Sequence, residues 1–146
     1  MTTFILPADL RERIAQEALG AFPQECCGLL EGRRIGSNIV VDAVWPARNL
    51  SSTPDRFEID PADHFRILHG ARERGCSVVG CYHSHPSGDT KPSPRDRDGA
   101  ADEHFVWIIA ALNGAGAVPF IQAYEHVGGA FLPLVIRNSI ASVADT

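Results

Sequence analysis

The stretch CYHSHPSGDTKPSPRD, residues 81–96, holds two histidines one residue apart, then a loop rich in Gly and Pro, then Ser93 and Asp96. Side chains at i and i+2 of a strand point to the same face. His83 and His85 close the β-branched run SVVGCYHSH, so their imidazoles are expected to project together. Two neutral imidazoles on one face supply half of a tetrahedral zinc site. Without a metal, the same pair would be two hydrogen-bonded histidines at a strand end. The loop stiffened by Pro86, Pro92 and Pro94 could bring back a third ligand. Ser93-Pro94-Arg95-Asp96 has the pattern of a helix start, with Ser at N-cap, Pro at N1 and Asp at N3. Ser93 and Asp96 could therefore serve only as a capping box. A carboxylate in a first helical turn is also rigidly held and can face the histidines. Two His and one carboxylate leave a fourth position for water, the arrangement of a catalytic zinc. Asp89, Asp98 and Asp102 compete with Asp96 for that role, and spacing does not exclude them.

These residues need a scaffold. The chain has 146 residues with 45% hydrophobic and 21% charged residues, which suits one soluble globular domain. We expect that domain over residues 1–137 and a flexible polar tail over 138–146. A short apolar piece, Phe4 to Leu6, precedes a helical pattern from Pro7 to Gly20 carried by Leu10, Ile14, Ala18 and Leu19. CCGLLEG and IGSNIVVDAVWPARN are expected as strands around a turn, and residues 49–56 as a loop. Pro61 opens a second helix with Phe65, Ile67, Leu68 and Ala71 as its apolar residues. A third helical stretch is expected from about Pro94 to Glu103. FVWIIAAL, VPFIQAYEHV and GAFLPLVI look like three closing strands. Strands and helices mixed in this way specify an α/β or α+β class.

Composition limits function as well. The net charge of −5 provides no overall basic footprint for nucleic acid or an anionic membrane. No segment reaches the roughly 20 apolar residues of a membrane helix. The N-terminus has no basic region followed by an apolar run, so no signal peptide is expected. Cys26, Cys27, Cys76 and Cys81 form no C-x-x-C pair. They suit reduced thiols in a cytoplasmic protein, and Cys26, Cys27 and Cys81 are expected as small buried hydrophobes. His64, His69, His104 and His126 are expected on helix surfaces or strand ends, and Trp45 and Trp107 in the core. Arg33 and Arg34 suit a solvated turn. Arg95 and Arg97 are the basic residues nearest the proposed ligands and could steer a carboxylate.

His83-Ser84-His85-Pro86, six residues, Ser93, two residues and Asp96 resemble the signature of the JAMM (MPN+) metalloprotease family, H-[ST]-H-P-x(6)-S-x(2)-D, at every position. PQECCGLLEG resembles the early strand in which that family carries a glutamate. The resemblance implies an MPN, cytidine-deaminase-like α-β-α sandwich with a central mixed sheet flanked by helices. It implies one zinc per chain on His83, His85 and Asp96, with Glu25 as general base and then general acid, and Ser93 at the oxyanion. The residues alone do not choose Glu25 over Glu31 or Glu58; the resemblance does. The chain is similar to compact prokaryotic members, which implies a metallopeptidase or isopeptidase cutting after the C-terminal Gly-Gly of a ubiquitin-like or sulfur-carrier protein. Such a tail could add along a sheet edge. A homodimer stays open.

Other readings rank lower. HSHPSGDTKPS also resembles a segment of RadC-like, DNA-associated proteins, but this acidic chain starts almost at once with the core. Non-catalytic MPN scaffold modules lack the full ligand set. Nucleoside deaminases need H-x-E and P-C-x-x-C, and neither occurs here.

Overall fold

The structure, a computed structural model, describes residues 2–54, 57–100, 102–114 and 118–139, without the side chain of Asp98. The elements run β1 (Thr3–Ile5), α1 (Ala8–Ala21), β2 (Cys27–Ile35), β3 (Asn38–Ala47), α2 (Pro61–Glu73), β4 (Ser77–His85), α3 (Pro94–Gly99), β5 (Val106–Ala111), β6 (Phe120–Val127), β7 (Ala130–Leu134) and β8 (Ile136–Arg137). All described strands join one mixed sheet in the order β7-β6-β5-β4-β2-β3-β1-β8. The sheet is parallel at β1–β3, β1–β8 and β4–β5 and antiparallel elsewhere. The expected mixed sheet flanked by helices is therefore present.

The sheet also curls. β7 and β8 lie at opposite edges, yet only Val135 separates them in sequence. Two residue steps span at most about 7 Å, so the edges must approach each other. Thr2 Oγ1, just before β1, accordingly donates to Glu125 Oε2 on β6 at 3.1 Å. The concave side holds α1. Its Leu10, Ile14 and Ala18 pack with Phe4, Leu30, Val41, Tyr82, Ile108 and Ala123 in the larger core, which Leu134 and Ile136 close. A smaller core of Leu29, Ile67, Cys81 and Trp107 lies on the opposite face, where α2 sits.

One irregularity decides which face carries the histidines. The β2–β4 register shifts between Leu30↔Gly80 and Glu31↔Val78, leaving Val79 as an extra residue on β4. Val79 accordingly joins the α1-side core while Val78 packs against the other. Beyond the bulge alternation resumes, with Tyr82 on the α1 side and Cys81 on the α2 side. His83 follows Cys81 onto that face, stacking on Phe57 and meeting Trp107 edge-on. Gly28, opposite Tyr82, has no Cβ for a reason: one there would collide with the Tyr82 ring and the Trp45 carbonyl. Gly28→Ala is expected to lower stability by about 3 kcal/mol, the upper end for an overpacked core. The urea unfolding midpoint reads this directly.

Several expectations need correction. The third helix stops at Gly99, because Ala100 is already extended at φ −83° and ψ 124°. The last of the three closing strands does not continue to Ile136: Ile136 and Arg137 leave β7 and pair with β1 at the far edge. Phe65 is 71% exposed on α2 and stacks on His69 rather than joining the core. Trp45 is half-buried, with its Nε1 donating to Glu31 and the Arg74 guanidinium over its ring. Residues 140–146 of the expected tail, and residues 55 and 56 of the loop, lie outside the described residues. Among the described residues no helix is long and apolar enough to cross a membrane.

Candidate active site

β4 ends with His83 and His85, and α3 begins nine residues further on. His83 Nε2 lies 3.0 Å from His85 Nε2, and both lie 3.1 Å from Asp96 Oδ2. Asp96 is fixed there by the capping box: its Oδ2 accepts from Ser93 N at 2.8 Å, and Ser93 Oγ accepts from Asp96 N at 3.1 Å. The alternatives of cap and ligand are thus not exclusive. The cap is the device that aims the carboxylate. Because Ser93 Oγ serves the cap as acceptor, its own proton remains available to donate.

His85 Nδ1 donates to the Asp89 carbonyl at 2.8 Å. In the neutral ring this bond keeps the proton on Nδ1 and leaves a lone pair on Nε2. That lone pair points at a second imidazole nitrogen and a carboxylate oxygen, a costly arrangement unless a cation or proton lies among them. A tetrahedral ion with bonds of about 2.0–2.1 Å separates its ligand atoms by about 3.3 Å, close to the spacings found. The donor set therefore fits a zinc-sized ion, and Glu25, His83 and His85 also offer ligand atoms within 4.8 Å of one another.

Burial and charge shape these groups. His83 is fully buried, and burial holds its pKa below the ordinary value despite the Asp96 carboxylate. Burial also acts to lower His85, but Asp96 and the Asp89 carbonyl outweigh it and raise the pKa. Burial pushes Asp96 up, yet its hydrogen bonds with both histidines prevail and hold it well below the usual carboxylate range. A neutral His83 and an ionised Asp96 are the protonation states that metal ligands need.

Glu25 reaches this cluster from the segment before β2 and is buried. Its rivals do not. Glu31 is bound by Arg74 and Trp45, which keep its carboxyl low, and Glu58 is exposed on the 49–60 loop. Asp89 is exposed, and its Oδ1 accepts from Lys91 N. Asp102 is exposed and lends its carbonyl to His126 Nδ1. Asp98 lies outside the described side chains. His64 and His69 are on the α2 surface, His104 pairs with Glu125, and His126 is buried on β6 against Phe131. Burial pushes the Cys26 and Cys27 thiols up to about 12 and Cys81 well above its ordinary value, so all three stay protonated as small hydrophobes.

Two clefts meet at the cluster. One, of 640 Å³, is lined by Glu25, His85, Ser93 and the prolines 23, 54, 86 and 94. The other, of 480 Å³, runs along Leu29, Phe57, Leu68 and Trp107 to Asp96. Arg95 lines both.

Residues 7–124 match the family described as prokaryotic homologs of the JAB domain. The chain belongs to that family. It is a JAMM-type hydrolase. It is similar to a desampylase of Haloferax volcanii, with 32% identity over 136 residues, 90% of this chain and 93% of the relative. It also resembles a Thermus thermophilus protein described as a probable TtuB-protein conjugate cleaving protease, 35% identical over 62% of this chain and 59% of the relative. Among solved structures, protein DSY2949 of Desulfitobacterium hafniense matches at 27% identity and a TM-score of 0.81, covering 94% of both chains.

Some residues that build the site were not singled out from sequence. Ser84, between the two histidines, points to the α1 side; its Oγ accepts from Cys26 N at 2.8 Å, and its N–H donates to Cys26 O at 3.1 Å. This clamp ties the Glu25 segment to the strand bearing the histidines. Strand alternation shows that Ser84 faces away from the histidines but not what it would meet. Phe57, whose ring centroid is 4.4 Å from that of His83, left no sequence signal beyond a short apolar piece.

Proposed function

We propose that residues 1–137 form one zinc-dependent isopeptidase unit that hydrolyses the bond after the C-terminal Gly-Gly of a ubiquitin-like or sulfur-carrier protein. The observation that carries this reading is the convergence of His83 Nε2, His85 Nε2 and Asp96 Oδ2 within 3.0–3.1 Å, beside a cleft lined by Glu25 and Ser93. The substrate class is supported by the similarity to a desampylase and to a probable TtuB-protein conjugate cleaving protease.

In this reading His83, His85 and Asp96 hold one zinc. The ion, when bound, supplies a Lewis acid that lowers the pKa of water to about 7 and polarises the scissile carbonyl. Glu25 accepts the proton of the attacking water and then returns it to the departing amine. Ser93 donates its hydroxyl proton toward the carbonyl oxygen as negative charge develops there. The Asp89 carbonyl keeps His85 in its ligating tautomer, and Phe57 with Trp107 walls His83 from solvent.

The test uses zinc-loaded protein and a ubiquitin-like protein joined through its Gly-Gly terminus to a lysine side chain or, linearly, to a reporter. Mass spectrometry of the products should find cleavage directly after Gly-Gly. A chelator should stop the reaction and added zinc should restore it. If zinc-loaded, folded protein leaves both bonds uncut, the reading fails.

A further inference from the structure

Asn49, just after β3, holds backbone on both sides of the site. Its Nδ2 donates to the backbone carbonyl of Glu25 at 2.8 Å. Its Oδ1 accepts from Ser51 N and from Glu58 N, each at 2.9 Å. Only one orientation of the amide satisfies all three bonds, because a carbonyl needs a donor and two N–H groups need an acceptor. The backbone around it is pinned as well: Asn49 and Ile59 form an isolated bridge, and Leu50 N donates to Glu58 O at 2.8 Å. The neck thus closed places Phe57 over the His83 ring. One side chain therefore references Glu25 and the Phe57 wall of His83 to the same point.

We propose that Asn49 is a positioning residue that sets the distance between the Glu25 carboxylate and the histidine pair. This rests on the reading of Glu25 as general base given above. Among the bonds that hold the segment before β2 are the Ser84 clamp on Cys26 and the Asn49 amide on Glu25 itself. The Ser84 anchor holds the neighbouring residue. The Asn49 anchor holds the backbone of the residue that carries the base, so loss of its donor lets that residue turn. A displacement of about 1 Å between reacting groups can cost on the order of 100-fold in rate.

Asn49→Asp separates the two jobs of the side chain. It keeps an acceptor for Ser51 N and Glu58 N and removes the donor to Glu25. With the Gly-Gly fusion as substrate, kcat is expected to fall about 100-fold, while KM and zinc content stay at wild-type values and the protein stays folded at the assay temperature. In a Glu25→Gln background, followed by single-turnover assay at high enzyme concentration, Asn49→Asp should cause no further loss. If the Asp variant does not fold, Asn49→Ser takes its place, being uncharged and too short to reach the Glu25 carbonyl, with the same expected result. An unchanged kcat beside an active wild type overturns the proposal alone. A fall in kcat that tracks loss of zinc, or a full further drop in the Glu25→Gln background, also overturns it. A wild type that cuts nothing removes the functional reading, and this inference with it.

Discussion

Glu25→Gln is expected to lower kcat by about 10²–10⁴-fold, the contribution of a positioned proton-transfer group. Glutamine has nearly the shape of glutamate, so the packing of this buried residue survives. The hydrogen bond from Asn49 to its backbone carbonyl is untouched. Only the ability to take up and release a proton is lost. Zinc content should stay near one ion per chain, and substrate affinity should change little. That combination distinguishes loss of a base from loss of a ligand. Single-turnover cleavage of the Gly-Gly fusion, with metal measured on the same samples, tests it. A variant within a few-fold of wild type would move the base elsewhere, and the 49–60 loop would be the next place to look.

The second large effect is on the metal. His83→Ala and Asp96→Asn are each expected to reduce bound zinc from about one per chain to none detectable, because the first removes one of three donors and the second removes the anionic charge of the carboxylate ligand. Asp96→Asn is the sharper variant. Its side-chain oxygen can still accept from Ser93 N, so the helix cap is preserved while the charge beside His83 and His85 is removed. Stabilisation by zinc should disappear together with the ion. At a zinc concentration 1,000 times its Kd, ligation adds about 4 kcal/mol to the native state, so the melting temperature of wild type should rise with zinc and that of the variants should not. Zinc retained at wild-type level by Asp96→Asn would restrict Asp96 to its capping role and leave Glu25, His83 and His85 as the ligand set to test next.

Much of the site was legible in the chain because its key residues are local. His83 and His85 need only strand alternation to share a face, and Ser93, Pro94 and Asp96 need only helix-start chemistry to aim a carboxylate. All of them lie within fourteen residues. The helix of residues 8–21 and the strand of residues 77–85 were likewise written in local periodicity. Expectation failed where local pattern did not decide burial or pairing. Phe65 fits the apolar stripe of its helix, but it lies exposed and stacks on His69. Ile136 continues a β-branched run, but its hydrogen-bonding partner is the first strand of the chain.

The sequence by itself determined the chemistry available: two imidazoles, a rigid carboxylate and a hydroxyl at the end of one strand and the start of one helix. Which glutamate joins them is not in the residue types: the family resemblance pointed to Glu25, and the tertiary structure brings it there. Glu25, Glu31 and Glu58 are equivalent as side chains, and only Glu25 lies where the Cys26–Ser84 clamp and the Asn49 amide bring a separate segment of chain against the histidines. The Val79 bulge was equally invisible, since a one-residue slip in pairing changes the face of every residue beyond it and no local pattern records the slip. Local propensities act over a few residues. The place of Glu25, the Phe57 wall and the curl of the sheet depend on contacts between residues tens of positions apart, which exist only once the core has closed.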